Sequence, residues 1–144
     1  AVCKGLALKM VADGEGATKV VELNVTGAAD DDEAALVSRA VSNSSLVRTA
    51  FFGRDANWGR IMASAGAALA GESALLADIY YEEVCLAKGG AVCPDPVEAG
   101  QLEKIMSQPE ISVTIDLHRG AASHTMYFSD LTHDYVTLNA EYTT

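Results

Sequence analysis

Polar and apolar positions change their period several times along the chain. Val2, Cys3, Leu6, Ala7, Met10 and Val11 recur at helical spacing and make one stripe of a helix over residues 1–12. Asp13-Gly14 stops it, with glycine where a left-handed residue is often needed after a helix. The period then drops to two. Val21, Leu23 and Val25 alternate with Glu22, Asn24 and Thr26, the signature of a half-buried strand. Asp30-Asp31-Asp32-Glu33 opens a second helical run with Leu36, Val37, Ala40 and Val41 on one face, and Asp30 with Glu33 resembles a capping box. Asn43-Ser44-Ser45 marks fraying or a turn.

GRDANWGR, residues 53–60, breaks the pattern and leads into a short small-residue helix with Ile61, Met62 and Ala65. Leu75 to Leu86 reads as two short strands meeting near Glu83, followed by a Gly89-Gly90 turn. Asp95-Pro96 with Glu98 predicts a helix start, with Ala99, Leu102, Ile105 and Met106 on the buried face and Pro109 as the stop. Ile111, Val113, Ile115 and Leu117 make the clearest strand. Gly120 to Ser123 turn it toward another through Met126 and Phe128, and a last extended segment is expected from Tyr135 to Asn139. Helices and strands alternate but the final strands come as a run. The fold class is therefore α+β, a mixed or antiparallel sheet with helices packed on it.

Composition narrows the function classes. The chain has 144 residues, is 49% hydrophobic, and has a mean hydropathy of +0.13, enough to bury a core. No apolar run approaches the roughly 18–20 residues of a membrane span, and no basic apolar leader precedes the first element. Ala1 stands inside an ongoing apolar pattern, so the sequence is expected to begin partway through a longer protein. Ten basic residues face 20 acidic ones, for a net charge of −10, and the basic ones never cluster. Neither nucleic acid nor an anionic membrane is an expected partner. Cys3, Cys85 and Cys93 form no CxxC and are odd in number, which points to reduced thiols in a cytoplasmic protein. His118, His124 and His133 have no metal-ligand spacing, and no metal is expected.

The glycine-flanked Glu15 in DGEGATK, residues 13–19, raises the question of a phosphate loop. Such a loop needs strand, glycines and helix in that order, so that amides and the positive helix end face the anion. Here the order is helix, loop, strand. The helix presents its carbonyl end, and Glu15 adds negative charge. Phosphate is excluded. Two readings remain: an acidic residue in an exposed turn, which the pattern by itself favours, or a carboxylate set to hold an ammonium group. GRDANWGR has a structural account, with Asp55 or Asn57 capping the next helix, Arg54 paired to a neighbour and Trp58 filling the core. No GxSxG, HExxH or triad spacing appears.

DGEGATK at 13–19, GRDANWGR at 53–60 and DYVTLNAEYTT at 134–144, taken in order and with their spacing, resemble the ornithine acetyltransferase family. These are the bifunctional glutamate N-acetyltransferases of arginine biosynthesis, and the resemblance covers essentially the whole chain. It implies a precursor that cuts itself before a threonine, giving an α chain and a β chain whose new N-terminal threonine is the nucleophile. This sequence resembles the C-terminal two-thirds or so of such a β chain, so the nucleophile and the α-chain oxyanion groups lie outside it. The implied reaction is ping-pong. The threonine takes acetyl from N-acetylornithine and glutamate takes it from the acyl-enzyme, with the nucleophile's own amine as general base. No cofactor is implied, although some family members also use acetyl-CoA as donor.

The resemblance carries over three substrate contacts: Glu15, Asn139 and the terminal Thr144. Val136, Leu138 and Tyr142 are candidates to anchor the tail. It implies an α-chain partner in an α2β2 heterotetramer, a cytoplasmic setting and small amino-acid substrates. Residues 1–27 would end a catalytic domain shared with the upstream part, 28–125 would form a C-terminal α+β domain, and 126–144 a strand and tail returning to the active site. Two rivals stay open. One is an amino-acid-binding regulatory module without chemistry, and the other a threonine-nucleophile amidase or aminopeptidase on a similar scaffold.

Overall fold

The computed structural model describes residues 2–69 and 75–141, without the side chains of Val2, Cys3, Lys4 and Ala7. In chain order the elements are α1 (Val2–Ala12), β1 (Val20–Ala28), α2 (Asp31–Asn43), α3 (Ser45–Phe52) and α4 (Trp58–Ala68). Then follow β2 (Asp78–Tyr81), β3 (Val84–Lys88), β4 (Ala91–Val92), α5 (Gln101–Met106), β5 (Glu110–Asp116), β6 (Ala122–Ser129) and α6 (His133–Glu141). Among the described residues the strands form one six-stranded sheet in the order β4-β3-β2-β5-β1-β6. The β1–β5 pair is parallel and the others are antiparallel, so the sheet is mixed as expected.

Alternation decides which face is dry. Val21, Leu23 and Val25 of β1, with Val113 and Ile115 of β5, are fully buried beneath Val37 and Val41 of α2, Phe51 of α3 and Ile61 of α4. Each such side chain contributes roughly 1.5–3 kcal/mol by leaving water. Phe51 stacks on Tyr81 and meets Phe128 edge-on, both with ring centroids 5.8 Å apart. On the opposite face Glu22, Asn24, Thr26, Ser112 and Thr114 are half-buried, and α1 lies against β1 and β6.

Several elements depart from the sequence pattern. The Leu6 and Met10 stripe of α1 is open to solvent, at 58% and 76% exposure, because nothing in the described chain covers it. In α2 the buried face runs through Ala34, Val37, Ser38 and Val41, which leaves Leu36 half-exposed. Of the fraying or turn expected at Asn43-Ser44-Ser45, the structure shows a one-residue junction between helices: the Ser44 hydroxyl accepts from the Val47 amide at 3.4 Å and starts α3. Helix α5 begins at Gln101 rather than near Asp95, because Gly100 sits at φ +81° and interrupts helical geometry. Strand β5 does not pair with β6, since β1 lies between them. The segment from Tyr135 to Asn139, expected to be extended, lies inside α6.

That last difference has a local cause. Thr132 Oγ1 accepts from the Tyr135 amide at 3.1 Å, which is an N-cap bond, and Asp134 places an acid in the first turn. The alternation of Tyr135, Thr137 and Asn139 with Val136 and Leu138 resembles a strand, but the cap selects a helix. Val136 and Leu138 are 57% and 49% exposed, so they do not anchor the tail within this chain. Tyr142 lies outside the described residues.

Candidate active site at the glycine loop

Helix α1 delivers its carbonyl end to the loop. The Asp13 amide donates to Lys9 O at 2.8 Å, the Gly14 amide to Val11 O at 3.3 Å, and the Ala17 amide to Gly14 O at 2.9 Å. The left-handed residue that redirects the chain is Gly16, at φ +69°, rather than Gly14. A side chain at Gly16 would meet the Tyr135 amide nitrogen at 2.8 Å and Asp134 Cβ at 2.9 Å, so the loop packs directly on the first turn of α6. Thr132 Oγ1 completes the contact by donating to Gly16 O at 2.7 Å.

This packing brings Glu15 to Asn139. Asn139 Nδ2 donates to Glu15 Oε2 at 3.3 Å and to the Tyr135 carbonyl at 2.8 Å, and both side chains are exposed. Two of the three residues carried over by the resemblance are therefore neighbours. The third, Thr144, lies outside the described residues. Around Glu15 the chemistry is that of a cation acceptor: a carboxylate, an amide oxygen and the carbonyl end of α1.

Beneath the loop, Asp130 is buried at 2% exposure. Its Oδ1 accepts from the Thr18 amide at 2.8 Å and the Lys19 amide at 3.0 Å, and its Oδ2 accepts from Thr18 Oγ1. Arg48 of α3 holds the same turn, donating from Nε to Ser129 O at 2.8 Å and from Nη2 to Ser129 Oγ at 3.1 Å. Lys19, the last residue of DGEGATK, is buried. Burial first, and then the nearby Arg54, push its ammonium below the usual lysine range, while Asp130 opposes them. On another face of α6 an open groove of about 500 Å³ runs between α3 and α6, lined by Phe52, Leu131, His133 and Val136.

Sequence reading missed Asp130 and Thr132, which frame the site. The signal available was Thr132-His133-Asp134, a cap residue followed by an acid in the first turn. GRDANWGR behaves as its structural account expects at one position: Asn57 Oδ1 accepts from the Arg60 amide at 3.1 Å and caps α4. Trp58 is half-buried and packs against the core.

The profile of the ArgJ family matches residues 1–144. The chain belongs to the ArgJ family. It is 45% identical to the arginine biosynthesis bifunctional protein ArgJ of Geobacter sulfurreducens, over 99% of this chain and 36% of that protein. It is 43% identical to the glutamate N-acetyltransferase of Methanocaldococcus jannaschii, over 99% of this chain and 37% of that one. A crystal structure of the ArgJ protein of Bacillus halodurans superposes with a TM-score of 0.89 at 34% identity, covering 98% of this chain and 66% of that chain. The chain thus spans a little over a third of the length of the curated family members it matches. The α+β architecture read from sequence is that of an ArgJ structure. Among the described residues no helix is long and apolar enough to cross a membrane.

Proposed function

We propose that the complete protein moves an acetyl group from N-acetylornithine to glutamate through an acyl-threonine intermediate, and that this chain supplies part of the substrate site. The observation that carries the reading is the meeting of Glu15 with Asn139 across 124 positions of sequence. Both fall where the ornithine acetyltransferase resemblance puts substrate contacts, and both converge on a locale suited to an ammonium group. Glu15 holds the free amine end of the ornithine-like substrate, Asn139 orients the Glu15 carboxylate, and Thr144 is the third contact. The nucleophilic threonine is the new N-terminus of the β chain that this sequence continues, and the oxyanion donors come from the α chain of the same precursor, its partner in an α2β2 assembly in the cytoplasm.

The chemistry needs no energy-rich donor. An amide is exchanged for an amide through an ester, so acetyl transfer depends on positioning glutamate and excluding water rather than on activation by acetyl-CoA. The test is incubation of the complete protein with N-acetylornithine and glutamate, without acetyl-CoA. Formation of N-acetylglutamate and ornithine in equal amounts is the expected result. Acetate release with no N-acetylglutamate would assign the amidase reading instead.

A further inference from the structure

We propose that Asp130 is a positioning residue for this site, fixing where Glu15 stands relative to Asn139. The inference rests on the reading of Glu15 as a substrate contact, and it concerns a residue that touches neither substrate nor Glu15. Strand β6 pairs antiparallel with β1, with Ser129 opposite Val20, so Asp130 falls opposite Lys19. The Asp130 amide does donate to Lys19 O, at 3.2 Å, as a continuing ladder requires. The return bond is replaced. The Lys19 amide goes to the Asp130 side chain rather than its carbonyl, and that carbonyl accepts from Arg48 Nη2 at 3.4 Å.

This substitution ends the ladder and turns both chains at once. On one side Thr18 is gripped through its amide and its hydroxyl, directly after the Glu15 loop. On the other, two residues beyond Asp130, Thr132 caps α6 and reaches Gly16 O. The two strands leaving the sheet are thereby held by one buried carboxylate at their common root, and Glu15 and Asn139 stand at their tips. A carboxylate suits this place because all three groups facing it are donors and it carries only acceptors. Alanine would leave two main-chain amides and a hydroxyl without their partner.

The test uses the complete protein carrying Asp130→Ala, Glu15→Gln and both together. Amide exchange read by mass spectrometry should show residues 14–19 and 130–139 losing protection together in Asp130→Ala, while residues 110–117 stay protected. For N-acetylornithine, KM should rise about tenfold or more in each single variant with a much smaller change in kcat. The double variant should be no worse than the poorer single one, because both changes remove the same contact. If Asp130→Ala does not fold, Asp130→Asn keeps one acceptor oxygen and should show the same pattern at smaller size. Deprotection of only one segment, or effects that multiply in the double variant, would overturn the proposal. If Glu15→Gln leaves KM unchanged, the substrate role of Glu15 fails, and the exchange pattern still decides whether Asp130 holds the two segments together.

Discussion

Asn139 of α6 hydrogen-bonds Glu15 of the glycine loop at 3.3 Å, so two segments 124 positions apart in sequence form one polar cluster. Glu15 is the charged member of the pair, and Asn139 donates to it. If Glu15 holds the substrate amine as proposed, replacing it with alanine in the complete protein removes a charge-assisted contact. The expected loss in kcat/KM for N-acetylornithine corresponds to on the order of 1.5–3 kcal/mol, or about 10- to 150-fold. Steady-state kinetics with and without the charged amine in the donor measures it. Equal kinetics for wild type and variant would remove Glu15 from the site.

At the opposite end of the sheet Asp78 is nearly buried and accepts from the Gly89 amide at 2.7 Å, from Tyr80 Oη at 3.2 Å and from His118 Nε2 at 3.1 Å. Burial alone pushes its carboxyl up. The Gly89 bond, His118 and Tyr80 together outweigh that and hold it below the ordinary aspartate range. A depressed folded-state pKa stabilises the fold above the unfolded value of about 3.9, and the contribution disappears as pH falls through the folded value. Asp78→Asn should therefore cost about 1–3 kcal/mol near pH 7 and progressively less below pH ~4. Denaturant midpoints of both proteins across that pH range test it. A constant gap would mean that the carboxylate charge is not what stabilises.

How much of this was legible in sequence depends on what decided each element. The central strands were, because burial at Val21, Leu23, Val25, Ile111, Val113 and Ile115 enforces period two. The Asp30 cap was too, since its bond to the Glu33 amide at 2.8 Å is local. Pairing was not: nothing in β5 or β6 announces that β1 lies between them, because that choice is made by contacts distant in sequence. Helix α6 was misread because its apolar positions face solvent, so periodicity carried no information and the Thr132 cap decided. Glu15 was visible only as an acid between glycines, and it was the family resemblance that nominated it as a substrate contact. Asp130 could not be found that way, because its role depends on a register 111 or more positions away.

Cys85 offers a check on the sheet's far edge. Burial, and then a hydrogen bond with Cys93, raise its thiol to about 11. Only the thiolate alkylates, so roughly one molecule in several thousand is reactive at pH 7.5. Mapping iodoacetamide adducts should show the Cys85 rate rising about tenfold per pH unit from 8 to 10 without a plateau. A plateau below pH 9 would place Cys85 in a more open or more polar setting than the one seen here.

Gly16 gives the sharpest test of how the loop meets α6. Its φ of +69° disfavours any residue with a side chain, by about 1–2 kcal/mol. The contact with Tyr135 adds to that, since a Cβ would stand 2.8 Å from a main-chain nitrogen that cannot swing away. Gly16→Ala must either strain the loop or push α6 outward, and outward movement separates Glu15 from Asn139. The expected outcome in the complete protein is a loss of stability of about 1–3 kcal/mol, with a weakened grip on the amine-bearing substrate. Gly14→Ala is the informative comparison. Gly14 has no positive φ, and its nearest neighbour would be Val11 O at 3.1 Å, so it should cost less. Thermal unfolding of the two variants side by side decides it. If Gly14→Ala proved the more damaging, the turn would be built on the other glycine, and the contact between the loop and α6 would have to be redrawn.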